Sequence, residues 1–425
     1  MKVAATFLGG AKNRLLPPSV PFRFFAAAAA FHVLVWLVLA FGASDLTHFA
    51  GGFGPTLAAI HLLTLGVLTT TAIGAGTQIL PVATGQPLAA VWLIKLVFWL
   101  AVPGILILTA GMYAIANSLL LIGAGLTTIG LLIFGWLLAG VLRHAGSMPV
   151  VAAYGWVALA SLIGAAALGA GLALNFQLGL FHNQPAVALA HMILGGFGFM
   201  GFLVLGFSQI LIPMFALSAV PPRRLSLATF AAAVFALILG TFGALAGSRS
   251  MLALAAFAGL AAAGGHLWMI SRVLASGLRK DLGLSFVLLR VGWIMLPLTL
   301  VTGLAALYPV PGHNAAILFG FLLLFGWLLT FLFGILQRIL PFLASMFLTP
   351  PARGRKPIAS KSAGAVPLKI HAACHLLALI AITISIVTDN ALIAQIFCVV
   401  GLLGAVVFAW FTADIIRRLL FNKQS

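Results

Sequence analysis

Acidic side chains are nearly missing from this chain. Four acidic residues stand among 425, and charged residues of both signs make up 6%. A soluble domain carries roughly 25% charged residues, so a water-facing surface of ordinary kind is excluded. Carboxylate pairs, Ser-His-Asp sets and a conventional carboxylate proton path have almost nothing to draw on. Phosphate-cradling glycine loops are absent. Cysteine is scarce too: Cys374 and Cys398 both lie inside apolar runs. That argues against a structural disulfide and leaves the redox compartment open.

Hydrophobic residues make up 63% of the chain. Apolar runs long enough to span a bilayer, about 20 residues each, recur from end to end. With proline, glycine and charge as punctuation, the spans fall near 20–42, 55–82, 87–113, 115–142, 149–173, 185–214, 225–247, 250–275, 285–308, 312–342, 367–388 and 391–416. Barrel strands would be short and alternating, and these runs are neither. The expected fold class is all-α, a polytopic membrane protein with 12 transmembrane helices. The basic start, with Lys2, Lys12 and Arg14, lacks the pattern of a cleaved signal, so the first span is expected to remain.

The formal charge of +18 suggests nucleic acid until the cations are placed. Arg14 and Arg23 precede span one. Arg143, the pair Arg223 and Arg224, the group Arg272, Arg279 and Lys280, the run from Arg338 to Lys361, and Arg417, Arg418 and Lys423 follow the even-numbered spans four, six, eight, ten and twelve. All these ends share one side. The other side holds Asp45, Asp389 and Arg249. The positive-inside rule makes both termini cytoplasmic, with a basic cytoplasmic loop over 343–366. The charge is then a topology signal directed at lipid, and nucleic acid drops out as a partner.

Span two opens on His61 and closes on "TQILP", with Gln78 and Pro81. Span six carries His191, Gln209 and Pro213, and span ten carries His313, Gln337 and Pro341. Gln78 and Gln209 are 131 residues apart, and Gln209 and Gln337 are 128 apart. Twelve spans thus divide into three units of four, near 20–142, 149–275 and 285–416. His61 and His191 precede their glutamines by 17 and 18 residues, whereas His313 precedes Gln337 by 24. The extra turns place His313 about 10 Å further out.

Three four-helix units with histidines on spans two, six and ten resemble subunit I of the haem-copper oxidases. The stretch "PFRFFAAAAAFHVLVW" and a His-led second span ending in "PVATGQP" resemble the NnrS family, haem- and copper-containing membrane proteins linked to nitric oxide stress. The resemblance implies haem, with copper as a second cofactor, and His61, His191 and His313 as cofactor ligands. It also implies a bacterial inner-membrane location and a respiratory electron-transfer partner. The chain departs from the oxidases where oxygen is reduced. His191 is followed by Gly195 and Gly196 in place of a tyrosine one turn on, and span seven has neither His nor Tyr. Oxygen reduction is not expected.

A second histidine group lies in the inner half. His371 and His375 are i,i+4 on span eleven and can grip one metal ion, or exchange hydrogen bonds or protons. His32 and His266 lie at comparable depth. His48, His144 and His182 fall in loops and read as solvated. Gln78, Gln209 and Gln337 are candidates to line the inner mouth of a pore; the plain alternative is that each caps a helix ended by its proline. Lys95 and Arg290 are long enough to snorkel. A transporter or channel for a small molecule or ion, or an assembly factor delivering haem or copper to an oxidase, is the rival class.

Overall fold

The computed structural model describes residues 16–84, 90–146, 148–308, 314–347 and 365–421. Among them the chain is helical throughout and forms no strand. Twelve helices are long and apolar enough to cross a membrane: α1 Ser19–Phe41, α2 Pro55–Ile79, α3 Val91–Ala114, α4 Asn117–Leu142, α5 Pro149–Leu178, α6 Gln184–Ala216, α7 Arg223–Leu245, α8 Arg249–Ala275, α9 Gly283–Ala306, α10 Ala315–Phe347, α11 Ala365–Thr388 and α12 Ala391–Leu420. Helix is the expected answer to such a sequence, because lipid offers backbone groups no partner and each segment must satisfy its own. The loop expected over 343–366 starts later. Helix continues through Phe347 and resumes at Ala365, while 348–364 lie outside the described residues.

The packing repeats every four helices. The tightest pairs are the hairpins α3–α4, α7–α8 and α11–α12. The inner part of α2 packs on α1 and α4, that of α6 on α5 and α8, and that of α10 on α9 and α12. Contacts α4–α5, α8–α9 and α12–α1 close the ring. The hairpins approach closely where side chains are absent. A Cβ on Gly123 of α4 would lie 2.2 Å from the Leu108 backbone nitrogen of α3.

α2, α6 and α10 form the centre. Two thirds of α2 and α10 is buried in protein, against 28–39% for α3, α4, α5, α7, α8 and α12, whose outer faces are left to lipid. Each central helix is wound for two turns as a π-helix: Leu62–Thr69 in α2, Leu194–Gly201 in α6 and Leu322–Leu329 in α10. They start 132 and 128 residues apart, and the three touch one another pairwise. Threonines satisfy carbonyls five residues back: Thr69 donates to Thr64 O at 2.8 Å, Thr70 to Leu65 O at 3.0 Å and Thr330 to Phe325 O at 2.7 Å. Such π segments concentrate at functional positions.

The prolines do not end their helices. Pro81 lies inside a stretch that runs to Thr84, Pro213 inside one that runs to Ala216, and Pro341 inside one that runs to Phe347. The cap alternative for the glutamines is therefore corrected: no helix terminus stands at those positions. A proline in a spanning helix frees the carbonyl four residues back and bends the helix, and surrounding helices make this tolerable. Lys95 and Arg290 are exposed, as snorkelling requires. Arg338, beside Gln337, turns inward. Its Nε donates to Ser285 Oγ at 2.7 Å, it also donates to Leu282 O, and its guanidinium sits over Phe215 and Phe286.

Candidate functional site: two imidazole groups

His61 and His191 face each other across α2 and α6. Their ring centroids are 6.3 Å apart and their planes differ by 16°. His61 stands at the entry to the α2 π segment, and His191 three residues before that of α6. Each ring is held by its Nδ1. His61 Nδ1 donates to Leu57 O at 3.0 Å, one turn back on its own helix, and His191 Nδ1 donates to Ala165 O of α5 at 2.8 Å. A carbonyl only accepts, so Nδ1 carries the proton and Nε2 of the neutral ring offers a lone pair. A backbone carbonyl behind a ring nitrogen is the usual means of orienting a metal-bound histidine. Gly169 of α5 makes room: a Cβ there would lie 2.9 Å from His191 Cε1. His313 lies outside the described residues.

The second, inner group lies between α1, α10, α11 and α12. His371 and His375 are near-parallel, with centroids 6.2 Å apart, and His32 of α1 meets His371 edge-on at 5.8 Å. Phe333 of α10 and Phe408 of α12 pack on His371 at 4.4 and 4.7 Å. All three imidazoles are buried. Trp36 Nε1 donates to His32 Nε2 at 2.9 Å, and His375 Nε2 lies 2.7 Å from Thr330 Oγ1. His266 is buried in α8 with neither ring nitrogen paired. A cavity of about 10 Å³, bounded by His32, Thr71, Phe333 and Phe408 among others, adjoins the group.

These two places differ in what they can hold. The inner group is filled by aromatic rings and leaves space for roughly one water, so a macrocycle does not fit there. Among the described residues no three His, Cys, Asp or Glu side chains are grouped to hold one ion. The outer pair does fit a two-imidazole ligand set. With both Nδ1 atoms committed to carbonyls, each ring of the pair would ligate through Nε2, the chemistry a two-imidazole ligand set needs.

The remaining sequence candidates divide plainly. Gln78, Gln209 and Gln337 are buried, each with an unpaired amide nitrogen. Their helix segments pack against different neighbours, as the four-helix pattern requires. His144 and His182 are exposed, and His48 is exposed in an ion pair with Asp389. Thr330 and Trp36 did not stand out in the sequence. Their only signal was a polar or amphipathic side chain within an apolar run.

No protein-family profile matches the chain, and no curated protein matches it. Solved structures do. The chain is similar to a haem-copper terminal oxidase, solved as a dimer, over 95% of this chain and 85% of that one, with a TM-score of 0.68 and 12% identity. The likeness is one of fold: this chain has the haem-copper oxidase subunit I-like architecture.

Proposed function

We propose that the chain is a haem-binding inner-membrane protein of NnrS-like type, its haem held in the outer half by His61 and His191. The observation that carries this reading is the pair of near-parallel imidazoles, each with its Nδ1 proton committed to a backbone carbonyl and its Nε2 free. His61 and His191 would hold haem through Nε2, and the haem would supply one-electron redox chemistry. The chain's own residues do the positioning. Leu57 O and Ala165 O fix the tautomers, and Gly169 clears the ring of His191.

The role lies in nitric oxide or respiratory stress or in electron transfer, with a respiratory electron-transfer protein as partner and without oxygen reduction. Copper is the second candidate metal, since imidazole suits it, and His313 is the third candidate ligand. The three units of four helices, and the cytoplasmic placing of both termini, belong to the same reading. The buried amide nitrogens of Gln78, Gln209 and Gln337 are suited to hold water near the basic face. An absorption spectrum of the purified protein tests the proposal: a Soret band is expected, and haem-free protein that cannot be loaded with haemin would count against it.

A further inference from the structure

Trp36 and His32 are one turn apart on α1, and their contact fixes the state of the imidazole. Trp36 Nε1 donates to His32 Nε2 at 2.9 Å. An indole N–H can only donate, so His32 Nε2 is bare, the ring is neutral and its proton sits on Nδ1. Neighbouring helices clamp the pair. A Cβ on Gly401 of α12 would lie 2.5 Å from the Trp36 indole, and Phe333 of α10 packs on His32 at 4.6 Å. His32 Nδ1–H is therefore a fixed donor, buried and unpaired.

Thr71 of α2 is the second such group. Along α2 the hydroxyls of Thr64, Thr69, Thr70 and Thr77 donate to carbonyls of their own helix, three to five residues back. Thr71 does not, and its buried hydroxyl is unpaired. His32 and Thr71 both line the cavity of about 10 Å³ where α1, α2, α10 and α12 meet. Its other walls are apolar, among them Phe25, Val67, Leu336 and Phe408. His371 and His375 do not bound it.

Size and lining select the occupant. A buried water needs about 10–15 Å³ of such space and at least two polar partners, and this cavity offers one place of that size and two partners. A cation is excluded, because the fixed N–H donor repels it and no charged side chain lines the cavity. An anion would enter a dry, apolar space without a countercharge. An organic molecule has no room.

We propose that this cavity is a binding site for one water molecule, which accepts from His32 Nδ1–H and shares a hydrogen bond with the Thr71 hydroxyl. The water completes a line of Trp36, His32, water and Thr71 that ties α1 to α2. Thr71 stands just past the α2 π segment, and α1 is the helix on which α12 closes the ring. The site holds its water whether or not haem is bound by the outer pair.

The experiment is a structure of the purified protein at a resolution that shows buried waters, for wild type, Thr71→Ser and Thr71→Val. Wild type is expected to show one rounded density peak within about 2.6–3.2 Å of both His32 Nδ1 and Thr71 Oγ1. Thr71→Ser keeps the hydroxyl and is expected to keep the peak. Thr71→Val keeps the shape of the side chain but removes the partner, and its peak is expected to fall to background. A second readout is magic-angle-spinning NMR of histidine-15N-labelled protein in bilayers. A cross-peak between water and the His32 Nδ1 proton is expected in wild type and lost in Thr71→Val. An empty wild-type cavity in a map that shows other buried waters, or a peak and cross-peak unchanged in Thr71→Val, would overturn the site. Neither readout depends on a Soret band, so failure here and failure of the outer-pair reading are separate results.

Discussion

His61 and His191 lie 130 residues apart in the chain, yet their rings stand 6.3 Å apart with planes 16° from parallel. Neither Nδ1 is available, because each is bound to a backbone carbonyl. Whatever the pair binds, it binds through Nε2. His61→Ala and His191→Ala are therefore each expected to change haem content or the Soret position of the purified protein. His182→Ala, on an exposed ring, is expected to leave both as in wild type. A structural histidine would behave otherwise, costing stability on the order of 1 kcal/mol with the spectrum intact.

Hairpin packing gives a stability prediction. The Cβ of Gly123→Ala would meet the Leu108 backbone at 2.2–2.4 Å. Backbone cannot rotate away, so the α3–α4 pair must separate, at a cost of about 1–3 kcal/mol. Gly125, two residues on, has nothing within 4 Å of its Cβ position. Gly125→Ala is expected to stay within about 0.5 kcal/mol of wild type. Unfolding midpoints in detergent measure both, and equal midpoints would refute the packing argument.

The outer rim should respond to pH. His48 Nδ1 donates to Ser44 O at 3.0 Å, and Nε2 lies 3.2 Å from Asp389 Oδ1. The Ser44 carbonyl first, and Asp389 second, raise the His48 pKa above the usual histidine value. The sign follows: the link is fully present below the pKa of a free histidine and is lost as pH rises through the raised one. An NMR titration of His48 should show a midpoint above that of a free histidine. Asp389→Asn should lower it in part, leaving the Ser44 contribution, and salt should weaken the Asp389 share. An unchanged midpoint in Asp389→Asn would show that the pair does not form in solution.

Orientation is tested by labelling. Basic residues mark the face where α1 and α11 start and α10 and α12 end. Ser362→Cys is expected to react with an impermeant thiol reagent only after the cytoplasmic face is opened. Labelling in intact cells with the outer membrane made leaky would reverse the topology.

How much of this was open to inspection in the sequence differs by level. Twelve helices were legible because a bilayer leaves long apolar runs no other structure, and charge breaks marked their ends to within a few residues. The π segments were not. Adding one residue per turn leaves no mark in composition, and Leu62–Thr69 reads as ordinary apolar helix. His371 and His375 were visible as an i,i+4 pair, but the approach of His32 depends on α12 and α1 closing the ring. Pro341 read as a stop because proline usually breaks a helix; inside a bundle the helix ran on to Phe347. Depth along a helix could be counted, so the similar level of His61 and His191 followed from their distances to the glutamines. That the rings face each other depends on helix rotation, which the four-helix packing decides.

The central claim is that one iron is shared by these two imidazoles. Electron paramagnetic resonance of the oxidised, haem-loaded protein tests it most directly. Two axial imidazoles give low-spin ferric haem, and loss of either ligand opens a coordination position. The account predicts a low-spin signal in wild type that turns high-spin in both His61→Ala and His191→Ala. A low-spin signal that survives both substitutions would contradict it.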